Sequence, residues 1–299
     1  MMSILNQLPE VRGTYVSNEP MSHHTWFGVG GPADIIFNPS DEDDLVHFLA
    51  GCPHEIPLFT VGAGSNLLVR DGGIAGVVIK LSTHMKQITH EGTCIIAQTG
   101  ATDADVARYA QRAGIGGLEF LIGIPGTIGG GLRMNAGAYG GETGEVIDWA
   151  EAVDPAGNLH RLGPAELGYA YRHCDVPEDW VFVRARVTGL PEADGIAEEM
   201  AAIAKARAES QPLGTATGGS TFRNPPGEKA WQLIDKAGCR GLRIGGAVMS
   251  EKHCNFMINE GGATAADLET LGETVRERVL KTSGIALQWE IRRIGEAKS

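Results

Sequence analysis

From Ala33 onward, short apolar runs alternate with amphipathic stretches. ADIIFNP (33–39) reads as a strand. In the DEDDLVHFLAGC that follows, Leu45, Phe48 and Leu49 recur at helical spacing, and Ser40 with Asp43 three residues on has the spacing of a capping box. LFTV (58–61) is a strand that runs into a glycine-rich loop. NLLVRD, GVVIKLS and TCIIAQTG (66–71, 76–82 and 93–100) are short strands between glycine-bearing turns. Thr102 and Asp105 cap a helix over DADVARYAQRAG, which Gly114 ends. EVIDWAEAVD and NLHRL form a hairpin closed at Pro155–Asn158, and VFVRARVTG (181–189) is a further strand.

The helix GIAEEMAAIAKARAESQ (195–211) stops before Pro212. Residues 214–220 are small and polar, a loop or a hinge. Then come a helix in KAWQLIDKAG, a strand NFMIN (255–259), a helix at 264–284 and a last strand, IALQWEIRRIG. On that strand Ile285, Leu287, Trp289 and Ile291 share one face, so Glu290 points away from it. Mostly antiparallel strands mixed with helices predict an α+β chain in two lobes, with the boundary near 195–220. Residues 1–22 read as a loose leader.

Composition narrows the function. The chain has 299 residues and a formal charge of −12, a poor match for long nucleic acid, which wants a basic footprint. The longest uncharged stretches fall far short of a bilayer span. The N-terminus lacks the basic and apolar regions of a signal peptide. Five scattered cysteines without a CxxC predict reduced thiols in the cytoplasm. The nine histidines have no metal-ligand spacing, so no metal is expected. There is no GxxxxGK[ST], HExxH or GxSxG. Gly28–Ala33 matches GxGxxA formally, but Ala33 opens a strand where a dinucleotide fold needs a helix.

Glycine is the outlier. Residues 114–144 hold 12 glycines in 31 positions, interleaved with Leu118, Phe120, Leu121, Ile122, Ile124 and Ile128, which is no flexible linker. Glycine at this density lets backbone approach a ligand closely or adopt positive φ. In Gly62-Ala63-Gly64-Ser65-Asn66, directly after LFTV, successive N–H groups can converge on a pyrophosphate without a cationic side chain; a tight interstrand turn fits the same residues. In Gly123–Gly141, Pro125, Gly126 and Thr127 lead into a short helix near Ile128 whose N-terminus would offer N–H groups to a ligand. A glycine-rich crossover is the alternative there. Arg172, Ser220 and Glu290 stand in three unrelated segments, and each alone reads equally as an ordinary surface residue.

Taken together, TWFGVGGPAD, VGAGSNLLV, GIPGTIGGGLRMNAGAYGGE, YRHC, QPLGTATGGSTFRNP, AVMSEKHCNFMIN and LQWEIRRIG occur in the order of the UDP-N-acetylenolpyruvoylglucosamine reductase family, which the chain resembles from about Thr25 to Gly295. The single spacing from YR to the serine loop resembles its shorter, type II form. The resemblance implies a p-cresol-methylhydroxylase-like FAD-binding module of two subdomains (23–194) and a C-terminal α+β substrate-binding lobe (195–299). It implies non-covalent FAD, NADPH as hydride donor and UDP-N-acetylglucosamine enolpyruvate as substrate. The product is the D-lactyl ether UDP-N-acetylmuramate, used in peptidoglycan synthesis. A monomer is expected.

By the same resemblance, Gly62, Ala63, Gly64, Ser65 and Asn66 lie at the FAD pyrophosphate. Gly123, Pro125, Gly126, Thr127, Gly129, Asn135, Ala136 and Gly137 line the flavin. Tyr139, Tyr171, Arg223 and Asn224 meet substrate. Arg172, Ser220 and Glu290 are catalytic: the arginine pairs the substrate carboxylate in a fork, Glu290 stabilises the charge that builds on it, and Ser220 delivers a proton. Two positions depart from the family pattern, Cys174 where Ser or Thr is common and Arg223 where Lys is common. The rival functions are another FAD oxidase of the same superfamily, acting on alcohols or hydroxy acids, and a non-catalytic flavin-binding protein.

Overall fold

A computed structural model describes residues 4–191 and 194–298; residues 1–3 of the expected leader, 192–193 of the expected FAD module and 299 of the expected lobe lie outside the described residues. The chain divides into two units. The first comprises residues up to Ser17, Ile35–Ala63 and Gly76–Arg207; the second comprises Asn18–Asp34, Gly64–Ala75 and Ala208–Ser299.

The first unit has two cores. One lies under a four-stranded sheet in the order Thr14–Pro20, Pro32–Asn38, Ile74–Lys80, Leu58–Val61, with Leu58–Val61 and Ile74–Lys80 parallel. Helix Glu42–Gly51 buries Leu45, Phe48 and Leu49 in that core beside Phe37 and Ile79, as the helical spacing predicts. Its N-cap is Asp41, which accepts from the Asp44 N–H at 3.0 Å, one residue later than the expected Ser40. The shift frees the Asp44 carboxylate to accept from the N–H groups of Ser40, Arg12 and Gly13. Those bonds hold the expected leader in place, and its loose reading is corrected: Thr14–Pro20 is a sheet strand, with the Tyr15 ring against Phe37 and Phe48.

The second core lies between helix Asp103–Arg112 and a five-stranded antiparallel sheet. The strand order is Leu159–Leu162, Ile147–Val153, Val181–Thr188, Cys94–Gln98, Ile88–Glu91. The expected hairpin over 147–162 is present, Thr102 caps the helix, and Gly114 stands beyond its end at φ +68°. Helix Ile196–Ser210 buries Ile196 and Met200 in this core, so most of it belongs to the first unit and the contact boundary falls after Arg207 instead of before residue 195.

In the second unit, the strands Ala216–Ser220, Phe256–Asn259, Ala247–Met249 and Arg243–Ile244 form an antiparallel sheet. Helix Ala265–Ser283 covers it with Leu268, Leu271, Val275 and Val279. Residues expected in the FAD module also belong here: Phe27, Val29 and Leu68 are buried in this core, and the Asn259 side chain donates to the Phe27 carbonyl. The segment expected as a loop or a hinge at 214–220 contains the edge strand Ala216–Ser220. The expected strand 285–295 is paired as a strand only at Arg292–Ile294, parallel to Leu67–Val69. Its upstream part keeps the alternation, with Leu287 and Ile291 buried and Gln288 exposed, but is tied down by single bonds.

Candidate active site

In the loop after the Leu58–Val61 strand, Gly64 adopts φ +67°, the left-handed conformation that one residue of an anion-binding nest requires. A Cβ on Gly64 would fall 2.0 Å from the His24 carbonyl oxygen, and one on Gly62 would fall 2.4 Å from Thr127 Oγ1, so both glycines are fixed by close packing. The loop carries no charged side chain, and Ala63 and Ser65 are half-buried, which suits a pyrophosphate held by main-chain N–H groups.

Thr127 is buried and caps helix Ile128–Met134, as its position predicts. The expected offering of that helix's N–H groups to a ligand is corrected. Ile128 N–H donates to the Ala101 carbonyl at 2.9 Å, Gly129 N–H to the Thr99 carbonyl at 2.9 Å, and Gly130 N–H to Thr127 Oγ1 at 3.5 Å. Residues just past the Cys94–Gln98 strand therefore satisfy the helix start from within the protein. A Cβ on Gly126 would meet Asp103 Oδ2 at 2.8 Å. Asp103 was not visible as a candidate. It is fully buried, that oxygen has no hydrogen-bond partner among the described residues, and burial pushes the carboxyl up to about 7. Pro125 lies in the turn between Gly123 and Gly126 and is part-exposed.

Beyond the helix the backbone is strained. Among the described residues four non-glycines have positive φ, and Asn135 (43°), Tyr139 (52°) and Arg172 (55°) are three of them. Such residues cost about 1–3 kcal/mol each and cluster at functional sites. The Asn135 side chain holds its own turn, accepting from Gly144 N–H at 2.8 Å and donating to Glu142 Oε1 and the Ala170 carbonyl. Ala136 N–H returns to the Gly131 carbonyl, and Ala136's carbonyl accepts from Thr143. Arg172 donates from Nη1 to the Asn135 carbonyl at 3.3 Å and from Nη2 to the Gly137 carbonyl at 3.0 Å. The structure thus joins the expected flavin lining to the expected carboxylate-binding arginine. The ring of Tyr171, half exposed, lies under the guanidinium, and Tyr139 stands over Gly123. Burial raises the Cys174 thiol.

Ser220 closes the Ala216–Ser220 strand, where the pairing with Phe256 follows a register shift. The shift falls at Gly218, which packs against the Phe27 ring, and Gly219, at φ +78°. Thr221 is buried, and its carbonyl accepts from the Glu290 N–H at 2.9 Å. Arg223 N–H donates to the Gln288 carbonyl at 2.9 Å, and Phe222 bridges Trp289. Segments 65 to 69 positions apart are thereby laid side by side, which sequence alone left open. Buried Asn255, unforeseen, clamps the serine loop by accepting from Phe222 N–H and donating to the Phe222 carbonyl. Asn224 Oδ1 accepts from Ala230 N–H at 3.0 Å and so caps the following helix. Arg223 Nε is buried and has no partner among the described residues.

An FAD-binding domain model matches residues 33–163, and a model of the UDP-N-acetylenolpyruvoylglucosamine reductase C-terminal domain matches 211–294. Fold and site therefore define a flavin-dependent oxidoreductase with an FAD-binding domain and a reductase-type C-terminal domain. The UDP-N-acetylenolpyruvoylglucosamine reductase of Parvibaculum lavamentivorans is 55% identical over 297 residues, which is 99% of this chain and 96% of that protein. The reductase of Rhodospirillum rubrum is 53% identical over 298 residues, 98% and 93% respectively. The crystal structure of the enzyme from Thermus caldophilus superposes with a TM-score of 0.82 at 33% identity, covering 95% of this chain and 99% of that one. The chain belongs to the UDP-N-acetylenolpyruvoylglucosamine reductase family.

Proposed function

We propose that the protein reduces the enolpyruvyl group of UDP-N-acetylglucosamine enolpyruvate to a D-lactyl ether, giving UDP-N-acetylmuramate for peptidoglycan synthesis. Family membership supports the reaction. The observation that carries the site is the Glu290 N–H to Thr221 carbonyl bond, which sets the expected acid residue Ser220 and the expected glutamate on adjoining backbone.

The glycine loop at 62–66 and the turn Gly123–Gly137 would hold FAD, which would supply the hydride chemistry between NADPH and the enolpyruvyl double bond. The chain's residues manage the charge that results. Hydride addition leaves negative charge on the α-carbon and its carboxylate. Arg172 binds that carboxylate with its planar fork of donors. Glu290 stabilises the charge as it builds. Ser220 hands a proton to the α-carbon, completing the D-lactyl ether. A serine hydroxyl is a weak acid, so fixed charge and orientation carry more of the acceleration than the hydroxyl does. Tyr139, Tyr171, Arg223 and Asn224 are the proposed substrate contacts. The proposed setting is the cytoplasm, where the nucleotide substrates are available; no described helix is long and apolar enough to cross a membrane.

An anaerobic titration tests this. NADPH should bleach the visible flavin band, and UDP-N-acetylglucosamine enolpyruvate should restore it. Restoration by oxygen alone would favour the oxidase. A protein that takes up no FAD would end the flavoenzyme assignment.

A further inference from the structure

Asn66 closes the glycine loop expected at the pyrophosphate, yet its amide group reaches elsewhere. Nδ2–H donates to the Glu290 carbonyl at 3.2 Å, across 224 positions of sequence. The carbonyl of Asn66 accepts from Arg292 N–H at 3.0 Å. The two bonds bracket Ile291, which is buried. Directly beyond them the regular parallel pairing starts, Arg292 opposite Leu67. The Asn66 amide thus extends that ladder one step upstream, to the residue of interest. The preceding residue of the loop, Ser65, has its carbonyl against Gly219, next to Ser220.

Further ties on the Glu290 segment come from elsewhere in the second unit. Glu290 N–H goes to Thr221, Arg276 Nε donates to the Leu287 carbonyl, and the Trp289 indole N–H donates to Glu273. Of these ties, the Asn66 bond is the one that originates in the cofactor loop.

We propose that Asn66 is a positioning residue: it couples the cofactor loop to the backbone of Glu290, so that the loop which seats FAD also sets the glutamate. This rests on the catalytic role proposed for Glu290. The chemistry asks for asparagine, because a side chain of this length must donate to a carbonyl. Aspartate has the same shape and would set a carboxylate against that carbonyl, without a proton to share.

The experiment compares Asn66→Ala, Asn66→Asp, Glu290→Gln and Asn66→Ala/Glu290→Gln as FAD-loaded full-length enzymes. Flavin content is read from the visible band, and the two half-reactions are followed anaerobically. With FAD saturating, both Asn66 variants should slow reoxidation by UDP-N-acetylglucosamine enolpyruvate roughly tenfold more than they slow reduction by NADPH, the scale of one hydrogen bond. Residues that act as a unit are non-additive, so the double variant should reoxidise no more slowly than Glu290→Gln alone. Multiplying effects would overturn the coupling while leaving the glutamate's role intact. A Glu290→Gln enzyme that reoxidises normally would remove the glutamate's role first and the positioning role with it. If Asn66→Ala fails to fold, Asn66→Asp decides, and loss of flavin from that variant, with normal reoxidation once FAD is saturating, would make Asn66 a cofactor ligand alone and sink the proposal.

Discussion

The guanidinium of Arg172 donates to the carbonyl of Gly137 at 3.0 Å. The residue proposed to grip the substrate carboxylate is therefore fixed by the same run of backbone proposed to face the flavin. Its own backbone sits at φ +55°, held there by the surrounding turn. Because a planar fork reaches two carbonyls and stacks on Tyr171 at once, lysine is not a substitute. Arg172→Lys should lower kcat/KM for the enolpyruvyl substrate by roughly 10–100-fold, the worth of a charge-assisted hydrogen bond. Reduction of bound flavin by NADPH should be much less affected. Equal damage to both half-reactions, measured by stopped-flow absorbance, would mean that the arginine chiefly shapes the flavin turn.

Ser220 stands at the end of a strand whose pairing is broken at Gly218–Gly219, so its hydroxyl can be removed without disturbing the sheet. Ser220→Ala should leave flavin reduction by NADPH intact and slow reoxidation by substrate by about 10²–10⁴-fold, the range of a lost general acid. A product of mixed stereochemistry at the new centre would support the same role, since solvent would then compete to deliver the proton. Normal reoxidation in this variant would take the proton from another group.

The Glu290 segment is also braced from behind. The Trp289 indole lies so close to Gly272 that a Cβ there would come within 2.0 Å of Cη2, while Nε1–H donates to Glu273 Oε1 at 2.9 Å and Arg293 stacks on the ring. Gly272→Ala removes a poor helix former, a gain of about 1 kcal/mol, but overpacking costs about 1–3 kcal/mol. The expected net result is a lower Tm, accompanied by slower reoxidation and unchanged reduction by NADPH. A thermal melt beside the two half-reactions checks this. A Tm equal to or above the parent's would show that the indole finds another seat at no cost.

What the sequence disclosed was what it encodes locally. Leu45, Phe48 and Leu49 announce their helix by spacing, and Thr127 its cap by residue type. The Asp41 cap lay one residue from the expected one, because Asp43 and Asp44 offer similar spacings and the choice depends on Arg12 and Gly13, thirty positions away. The strand at 216–220 gave no signal because glycine and threonine carry no apolar alternation. Tyr15 gave none because its partners, Phe37 and Phe48, are distant in sequence. The candidate site divides similarly. Its motifs named Arg172, Ser220, Glu290 and the glycine loops through resemblance. The Thr221–Glu290 and Asn66–Glu290 bonds and the filled N-terminus of helix Ile128–Met134 depend on segments meeting in space, which no local pattern records.

Asp103 shows a further consequence of that packing. Its carboxyl is enclosed against Gly126 and Gly131 at the start of its own helix, and Oδ2 has no partner among the described residues. Burial raises its pKa to about 7, whereas an unfolded aspartate ionises near 3.9. Between those values the folded state keeps a proton that the unfolded state has lost. Stability from this group is therefore complete below about pH 4, falls as pH rises to about 7, and stays at the lower level above. The full penalty is on the order of 4 kcal/mol at most, at about 1.4 kcal/mol per pKa unit. Asp103→Asn has nearly the same shape and cannot ionise. Its Tm should be close to the parent's at about pH 4, begin to exceed it by pH 5 and stand several degrees above it at pH 8. Thermal melts of the two proteins across that range are the measurement, and parallel curves would mean that Asp103 ionises in the folded protein as readily as in the unfolded chain.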